Sequence, residues 1–268
     1  MSNMAPTCSK KPISERFLRR SRYGALLVFA LALAIGSVAS SSRAGSTRSS
    51  DTTEMQTLNG ETLSVKQQAI APITAFAAIG DMSGLDGALN AGLDAGLSIS
   101  EAKEILVQLY AYAGFPRSLN ALGQLMKVTE ARRQRGVADI PGREPGKAVP
   151  TGEALLAAGT ANQTHLAGAP VKGPLFEFAP AIDRFLKMHL FGDIFERDNL
   201  DWQSRELATV GALAALRGVE SQLQSHIRIS LNTGLSRAQL RELGRTLTER
   251  YNAEAGARVQ AAIDQVFG

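Results

Sequence analysis

The chain has 268 residues, of which 44% are hydrophobic, 6% aromatic and 20% charged. This length and apolar content are enough for a full hydrophobic core, and they exclude a fibrous or intrinsically disordered protein. The formal net charge is +4, but the first 44 residues carry +6, which leaves 22 Lys and Arg against 24 Asp and Glu in the remainder. The remainder therefore lacks the excess positive charge of a nucleic-acid-binding protein, and no nucleic-acid partner is expected.

Residues 1–44 have the pattern of an export signal. The cationic stretch RFLRRSRYG precedes the apolar run ALLVFALALAIG and the small residues SVASSSRAG, with small-x-small sites that end at Ala39 and Ala44. We therefore expect an exported protein, either periplasmic or secreted. The apolar run is short for a membrane span. An uncleaved N-terminal anchor is the alternative, and the membrane would then be contacted through this segment alone.

Cys8 is the only cysteine in the chain, and it lies inside the predicted signal. The exported protein should therefore contain no disulfide, no thiolate nucleophile and no Cys-ligated metal. Residues 45–60, which follow the signal, are polar and rich in Ser and Thr. This composition is typical of a solvated, flexible leader.

Residues 61–131 and 176–268 are predicted to be two copies of one helical unit. An offset of 138 residues aligns residues 64–109 with residues 202–247 without a gap and pairs Gly96 with Gly234. Each of these glycines is placed to end a helix in the left-handed conformation, and a Ser-x-x-Glu or Ser-x-x-Gln capping box follows it. No β-type alternation of useful length occurs. The fold class predicted is all-α, with two tandem repeats that form one composite unit.

Residues 132–175, between the two copies, are rich in Gly, Pro and charge and are predicted to be a long connector. The segment APAIDRFLKMHLFGDIF after it predicts an amphipathic helix. Its apolar residues on a common face are Ile182, Phe185, Leu186 and Leu190.

Two segments resemble the carboxymuconolactone decarboxylase family, whose relatives include the alkylhydroperoxidase-D proteins. They are LDWQSRELATVGALAALRGVESQLQSHIRISLNTGLSRAQLREL in the second copy and LSISEAKEILVQLYAYAGFPRSLNAL in the first. The resemblance covers roughly residues 60–130 and 176–250. It implies an all-helical fold that assembles into homo-oligomers, either trimers or hexamers, with pockets near the subunit contacts. It also implies cofactor-free chemistry on a small-molecule carboxylate.

The residues that the family usually combines in one unit are divided between the two copies. The first copy keeps YAGFP but has Gln68 and Ala88 where the second copy has Glu206 and His226. The second copy replaces the YAGFP segment with TERYNAEAG. One composite site per chain is therefore expected.

The resemblance implies acid–base catalysis, because loss of CO₂ from a carboxylated lactone leaves a dienolate that must be protonated at carbon. His226 is the candidate proton donor, and Glu206 would orient or reprotonate it. An arginine fork would hold the substrate carboxylate. The predicted substrate-binding residues are Arg205, Arg228, Tyr112 and His189.

Each of these assignments has a structural alternative. His226 at a helix edge is also typical of a structural hydrogen bond, and Glu206 of a surface ion-pair network with Arg205 or Arg241. Tyr112 would also suit a core or subunit contact. His189 is spaced i, i+4 from an aspartate, as in one edge of a metal site, but no third strong ligand lies nearby in the sequence, and no metal is predicted.

The peroxidase branch of the resembled family needs a Cys-x-x-Cys motif before the histidine. Val219 and Gln222 occupy the corresponding positions, so a thiol peroxidase mechanism is excluded for this chain acting alone. Two functional classes stay open: a carboxy-lyase or related acid–base enzyme, and an exported non-catalytic helical protein for binding or assembly. Peroxide metabolism through a cysteine-bearing partner is a third alternative.

Overall fold

A computed structural model describes residues 62–268, which belong to one compact unit, Thr47–Gly268. These residues form helices and no strands, which confirms the all-α class. The predicted signal, leader and Cys8 lie outside the described residues. Within residues 62–268, no helix has both the length and the apolar character needed to cross a membrane.

Twelve α-helices and one π-helix follow one another in the described part of the chain. Their bounds are α1 (Val65–Ile79), α2 (Met82–Asp94), α3 (Ile99–Gln108), α4 (Tyr110–Ala113), α5 (Phe115–Gln134), α6 (Gly152–Ala167), α7 (Pro174–Phe178), α8 (Pro180–Phe185), the π-helix (Leu186–Ile194), α9 (Trp202–Ala215), α10 (Glu220–Asn232), α11 (Arg237–Arg250) and α12 (Ala253–Phe267).

Helix geometry recurs at the offset of 138 residues. Helices α2 and α10 begin and end at positions that differ by this offset. Gly96 and Gly234 follow them in the left-handed region, with φ of +92° and +96°. Ser98 and Ser236 then form complete capping boxes at the start of α3 and α11. The predicted helix ends and capping boxes are confirmed, and the duplication itself stays a prediction.

Helices α1 and α9 make the most extensive helix contact and lie at the centre of the core. Their apolar side chains, such as Ile70 and Leu207, are fully buried. A Cβ atom on Gly211 would overlap the backbone oxygen of Ala71, so the two helices approach more closely here than any side chain would allow. This crossing joins the two predicted repeats through one continuous core.

The predicted connector, residues 132–175, is not irregular throughout. Helix α5 extends into it, and α6 occupies 16 of its residues and packs against the π-helix. A Cβ atom on Gly159 would overlap the carbonyl group of Lys187, so this glycine provides close helix packing. Glycines that indicated a loop in the sequence serve here as contact points between helices.

The predicted amphipathic helix after the connector is divided into α8 and the π-helix. Ile182 and Phe185 are exposed, whereas Leu190 is buried, so the prediction of one common apolar face is wrong. The reason is that the helix changes from α to π at Leu186, and the wider π turn rotates the apolar residues after this point relative to those before it.

Candidate functional site

The imidazole of His226 on α10 lies against the carboxylate of Glu206 on α9. The Nδ1 atom of His226 is 2.8 Å from Oε2 of Glu206. His226 is 8% exposed and Glu206 is completely buried. The alternative of a surface ion-pair network for Glu206 is therefore wrong, because solvent does not reach this carboxylate.

Two polar atoms of this pair, Nε2 of His226 and Oε1 of Glu206, have no hydrogen-bond partner in the described residues. Nε2 of His226 has no hydrogen-bond partner among residues 62–268, and it is not one of the unpaired side-chain atoms shielded from solvent. Oε1 of Glu206 is buried and also lacks a partner there. With Nδ1 held by the carboxylate, Nε2 is the atom available to exchange a proton with a ligand.

Tyr112 on α4 contacts the ring of His226. Their ring centroids are 5.5 Å apart and the planes meet at 79°, an edge-on contact. The Oη atom of Tyr112 is buried without a hydrogen-bond partner in the described residues. Burial and the nearby Glu206 carboxylate raise the pKa of Tyr112, against weaker opposing effects of Thr209 and Arg205. The phenol therefore stays neutral and can act as a hydrogen-bond donor.

A break in the helix brings Tyr112 to this position. Gly114 has φ of +81° and ψ of 161°, a conformation that favours glycine, and it ends the four-residue helix α4. Pro116 lies in the first turn of α5, where its missing N–H costs no helical hydrogen bond. Gly114 and Pro116 together end one helix and start the next within three residues.

Two buried polar residues beside Tyr112, Gln108 and Thr209, were not predicted from the sequence as part of the site. Nε2 of Gln108 donates to the Thr209 hydroxyl at 2.8 Å and to the backbone oxygen of Arg205 at 2.9 Å. With Tyr112 they line a void that has no room for water. Their positions inside the apolar stripes of α3 and α9 could have identified them, because a buried polar side chain needs a hydrogen-bond partner.

Arg205 does not face a ligand site, which corrects its predicted role in binding substrate. Its Nη2 donates to Oε1 of Glu104 at 2.9 Å and to the backbone oxygen of Arg197 at 2.8 Å, and its Nη1 donates to Gln108 at 3.1 Å. The side chain is completely buried. Because Arg205 and Glu206 are successive on α9, their side chains point about 100° apart, and Arg205 is directed at α3 instead.

Arg228 also points away from His226. It follows His226 by two residues on α10, which places it about 200° further around the helix, and it is exposed. Its position within one chain therefore gives no support to a contact with a substrate at His226, and its part in substrate binding stays a prediction.

His189 lies on the π-helix and is exposed. Its Nδ1 is 2.8 Å from Oδ2 of Asp193, as the i, i+4 spacing predicts. No cluster of three metal-ligating side chains occurs in residues 62–268. His189 therefore forms a separate surface pair, and its predicted part in substrate binding receives no support from a contact with His226.

Comparison with known proteins finds similarity in the segment that contains this pair. Residues 180–264 match the model of the carboxymuconolactone decarboxylase family. The 4-carboxymuconolactone decarboxylase of Acinetobacter baylyi is 32% identical over 69 residues, which are 26% of this chain and 51% of that protein. The chain thus spans about half the length of this curated relative. The family match includes both Glu206 and His226, whereas Tyr112 lies outside it.

Proposed function

We propose that the protein is a carboxy-lyase that acts on a small carboxylated lactone or keto acid, because residues 180–264 match the model of the carboxymuconolactone decarboxylase family. The observation that carries this proposal is the pair formed by His226 and Glu206. Nδ1 is fixed by a buried carboxylate at 2.8 Å, and Nε2 stays without a protein partner in the described residues. A histidine held in this way is suited to general acid–base catalysis.

The proposed reaction needs one proton and no cofactor. The bond between the substrate carboxylate and its carbon breaks, CO₂ leaves, and the electron pair is delocalised as a dienolate. Nε2 of protonated His226 donates its proton to the dienolate carbon, and solvent then returns a proton to Nε2. Glu206 accepts a hydrogen bond from Nδ1–H throughout, which fixes the ring orientation and directs Nε2 towards the substrate. The edge-on ring of Tyr112 supports the same orientation.

The substrate carboxylate needs a cationic or hydrogen-bonding partner that Arg205 does not provide, because that guanidinium is bound to Glu104. We therefore propose that a second copy of the chain completes the site, in a trimer or hexamer. Large apolar side chains are exposed on α5 and α7, including Phe115 at 62% and Phe178 at 88%. Exposed aromatic residues of this size are typical of protein interfaces. Light scattering on the purified protein would measure the assembly directly.

The test is an activity screen of the exported protein with carboxylated lactones, keto acids and hydroperoxides. His226→Gln should lower kcat by about 10²- to 10⁴-fold, the usual contribution of general acid–base catalysis, without lowering the melting temperature. His165→Gln is the matched control, because His165 is an exposed histidine on α6 that contacts Trp202 instead. No turnover of any substrate, or equal losses in the two variants, would contradict the proposal.

The alternative is an exported, non-catalytic helical protein for binding or assembly. The narrow void at Tyr112 favours it, because a void without room for water cannot admit a substrate. Peroxide metabolism would require cysteines from a partner, since Val219 and Gln222 stand where the peroxidase motif needs them. In all three cases we propose that the protein acts outside the cytoplasm, on the strength of the signal pattern in residues 1–44.

A further inference from the structure

We propose that the protein has a second ligand site, a groove in the first predicted repeat that binds a small carboxylate with an apolar body. The groove has a volume of about 280 Å³. Its apolar floor is formed by Ala69, Pro72 and Phe76 of α1, its wall by Gly87 and Ala88 of α2, and Arg250 at the end of α11 closes one side.

The groove occupies the place in the first repeat that the His226 site occupies in the second. The offset of 138 residues relates Ala88 to His226, Gln68 to Glu206, and Arg250 to Tyr112. The contacts follow the same relation. In the second repeat, His226 is contacted by Tyr112, which follows α3 of the first repeat. In the first repeat, Gln68 on α1 is contacted by Arg250, which lies at the end of α11 of the second repeat. The two sites therefore share a position in the fold and differ in their chemistry.

Small side chains open this groove. Gly84, Gly87 and Ala91 line it, whereas Gln222, Ser225 and Ile229 stand at the related positions of α10. A Cβ atom on Gly87 would meet nothing within 4 Å, so the space next to it is empty. The space beside Gly87 is therefore open, whereas the ring of Phe76 packs against Gly84 and forms part of the apolar floor.

Arg250 gives the groove its charge preference. Nη2 donates to Oε1 of Gln68 at 3.0 Å, and Nε2 of Gln68 in turn donates to Glu242 at 3.0 Å. This chain of bonds fixes the Gln68 amide and holds the guanidinium at the groove. The remaining guanidinium N–H groups have no hydrogen-bond partner in the described residues, so they are available to a ligand carboxylate as a planar fork.

The site should bind without catalysing a reaction. Ala88 stands in place of the proton donor His226, and Gln68 replaces the carboxylate of Glu206, so neither can transfer a proton. The volume of about 280 Å³ lies just below the usual range for drug-sized ligands, so the ligand should be small. An aromatic or short aliphatic monocarboxylate fits both the apolar floor and the single cation.

Benzoate is the probe for this site, with benzamide as the neutral compound of the same shape, and calorimetry on the full exported protein measures both. We expect benzoate to bind at least ten-fold more tightly than benzamide. Arg250→Gln should weaken benzoate binding at least ten-fold, because the replacement removes the cation. Ala88→Leu should abolish binding by filling the groove, and melting temperatures would verify that both variants fold.

Two controls separate this site from the His226 site and from a general effect of charge. Arg217→Gln removes an exposed arginine that lies outside the groove, and His226→Gln alters the proposed catalytic site; both should leave benzoate affinity unchanged. Absence of benzoate binding, or binding that survives Arg250→Gln and is lost in His226→Gln, would overturn the proposal. A change of oligomer mass in Ala88→Leu, with no benzoate binding to the unaltered protein, would instead assign the groove to contact with a second copy and also overturn it.

Discussion

The guanidinium of Arg205 lies 2.9 Å from the carboxylate of Glu104, and both side chains are almost completely shielded from solvent. The pair joins α9 of the second predicted repeat to α3 of the first. Arg197 and Asn199 also donate to Glu104, so the carboxylate is fully surrounded by donors. Buried charges of this kind are tolerated only where they are paired and hydrogen-bonded. The role of Arg205 is therefore to connect the two halves of the core.

Removal of Arg205 should destabilise the protein strongly. Arg205→Met leaves Glu104 with part of its charge unpaired in the core, and we expect the free energy of unfolding to fall by about 3–5 kcal/mol in urea denaturation. Arg217→Met is the control, because Arg217 and its partner Glu254 are 81% and 60% exposed. Arg217→Met should lower the free energy of unfolding by less than about 1 kcal/mol. Similar losses in the two variants would refute a special role for the buried pair.

Any side chain at Gly114 should strain the helix break and destabilise the protein. Gly114→Ala places a Cβ on a backbone with φ of +81°, and we expect a loss of about 1–3 kcal/mol in thermal or urea unfolding. Gly123→Ala is the matched control on α5, where a Cβ would meet nothing within 4 Å. It should stabilise the helix by up to about 1 kcal/mol. Gly114→Val should also lower the melting temperature more than His226→Gln, and equal melting temperatures would count against this account.

Acid should release the segment around Gly146 from Asp198. Hydrogen bonds from the Gly146 amide and from Arg143, together with a longer one from the Lys147 amide, lower the pKa of Asp198 to about 2. Because this pKa is below the value of about 3.9 for an unfolded aspartate, the stabilisation is present above pH 4 and is lost as the pH falls towards 2.

A carbon-13 NMR titration of the Asp198 carboxyl group, with hydrogen exchange at the Gly146 amide, would follow this release. Asp198→Ala removes the acceptor and should show fast exchange at Gly146 without the acid transition. A titration midpoint near 3.9 would show that the bonds to Asp198 do not persist in solution.

Local features of the fold were predictable from the sequence. Capping boxes at Ser98 and Ser236 depend on residues three positions apart, and the conformation of Gly114 follows from its lack of a Cβ. Each of these local features depends on a few neighbouring residues and on helix periodicity. The pairing of His226 with Glu206 was expected instead from the family resemblance, which assigned both residues to one site.

Features that depend on tertiary packing were not predictable. Arg205 is adjacent to Glu206, and only the packing of α3 against α9 decides which of the two meets Glu104. Gly159 indicated a loop because its role as a helix contact depends on the π-helix, which lies more than 20 residues away. The π-helix itself has no periodic signal in the sequence.

The central claim is that His226 and Glu206 act as one catalytic unit. The most direct measurement is kcat/KM for His226→Gln, Glu206→Gln and the double variant on the substrate identified by the screen. If the carboxylate works only through the histidine, the double variant should be no slower than His226→Gln alone, because residues that act as a unit have non-additive effects. Losses that multiply in the double variant would show that the two residues act independently and would contradict the claim.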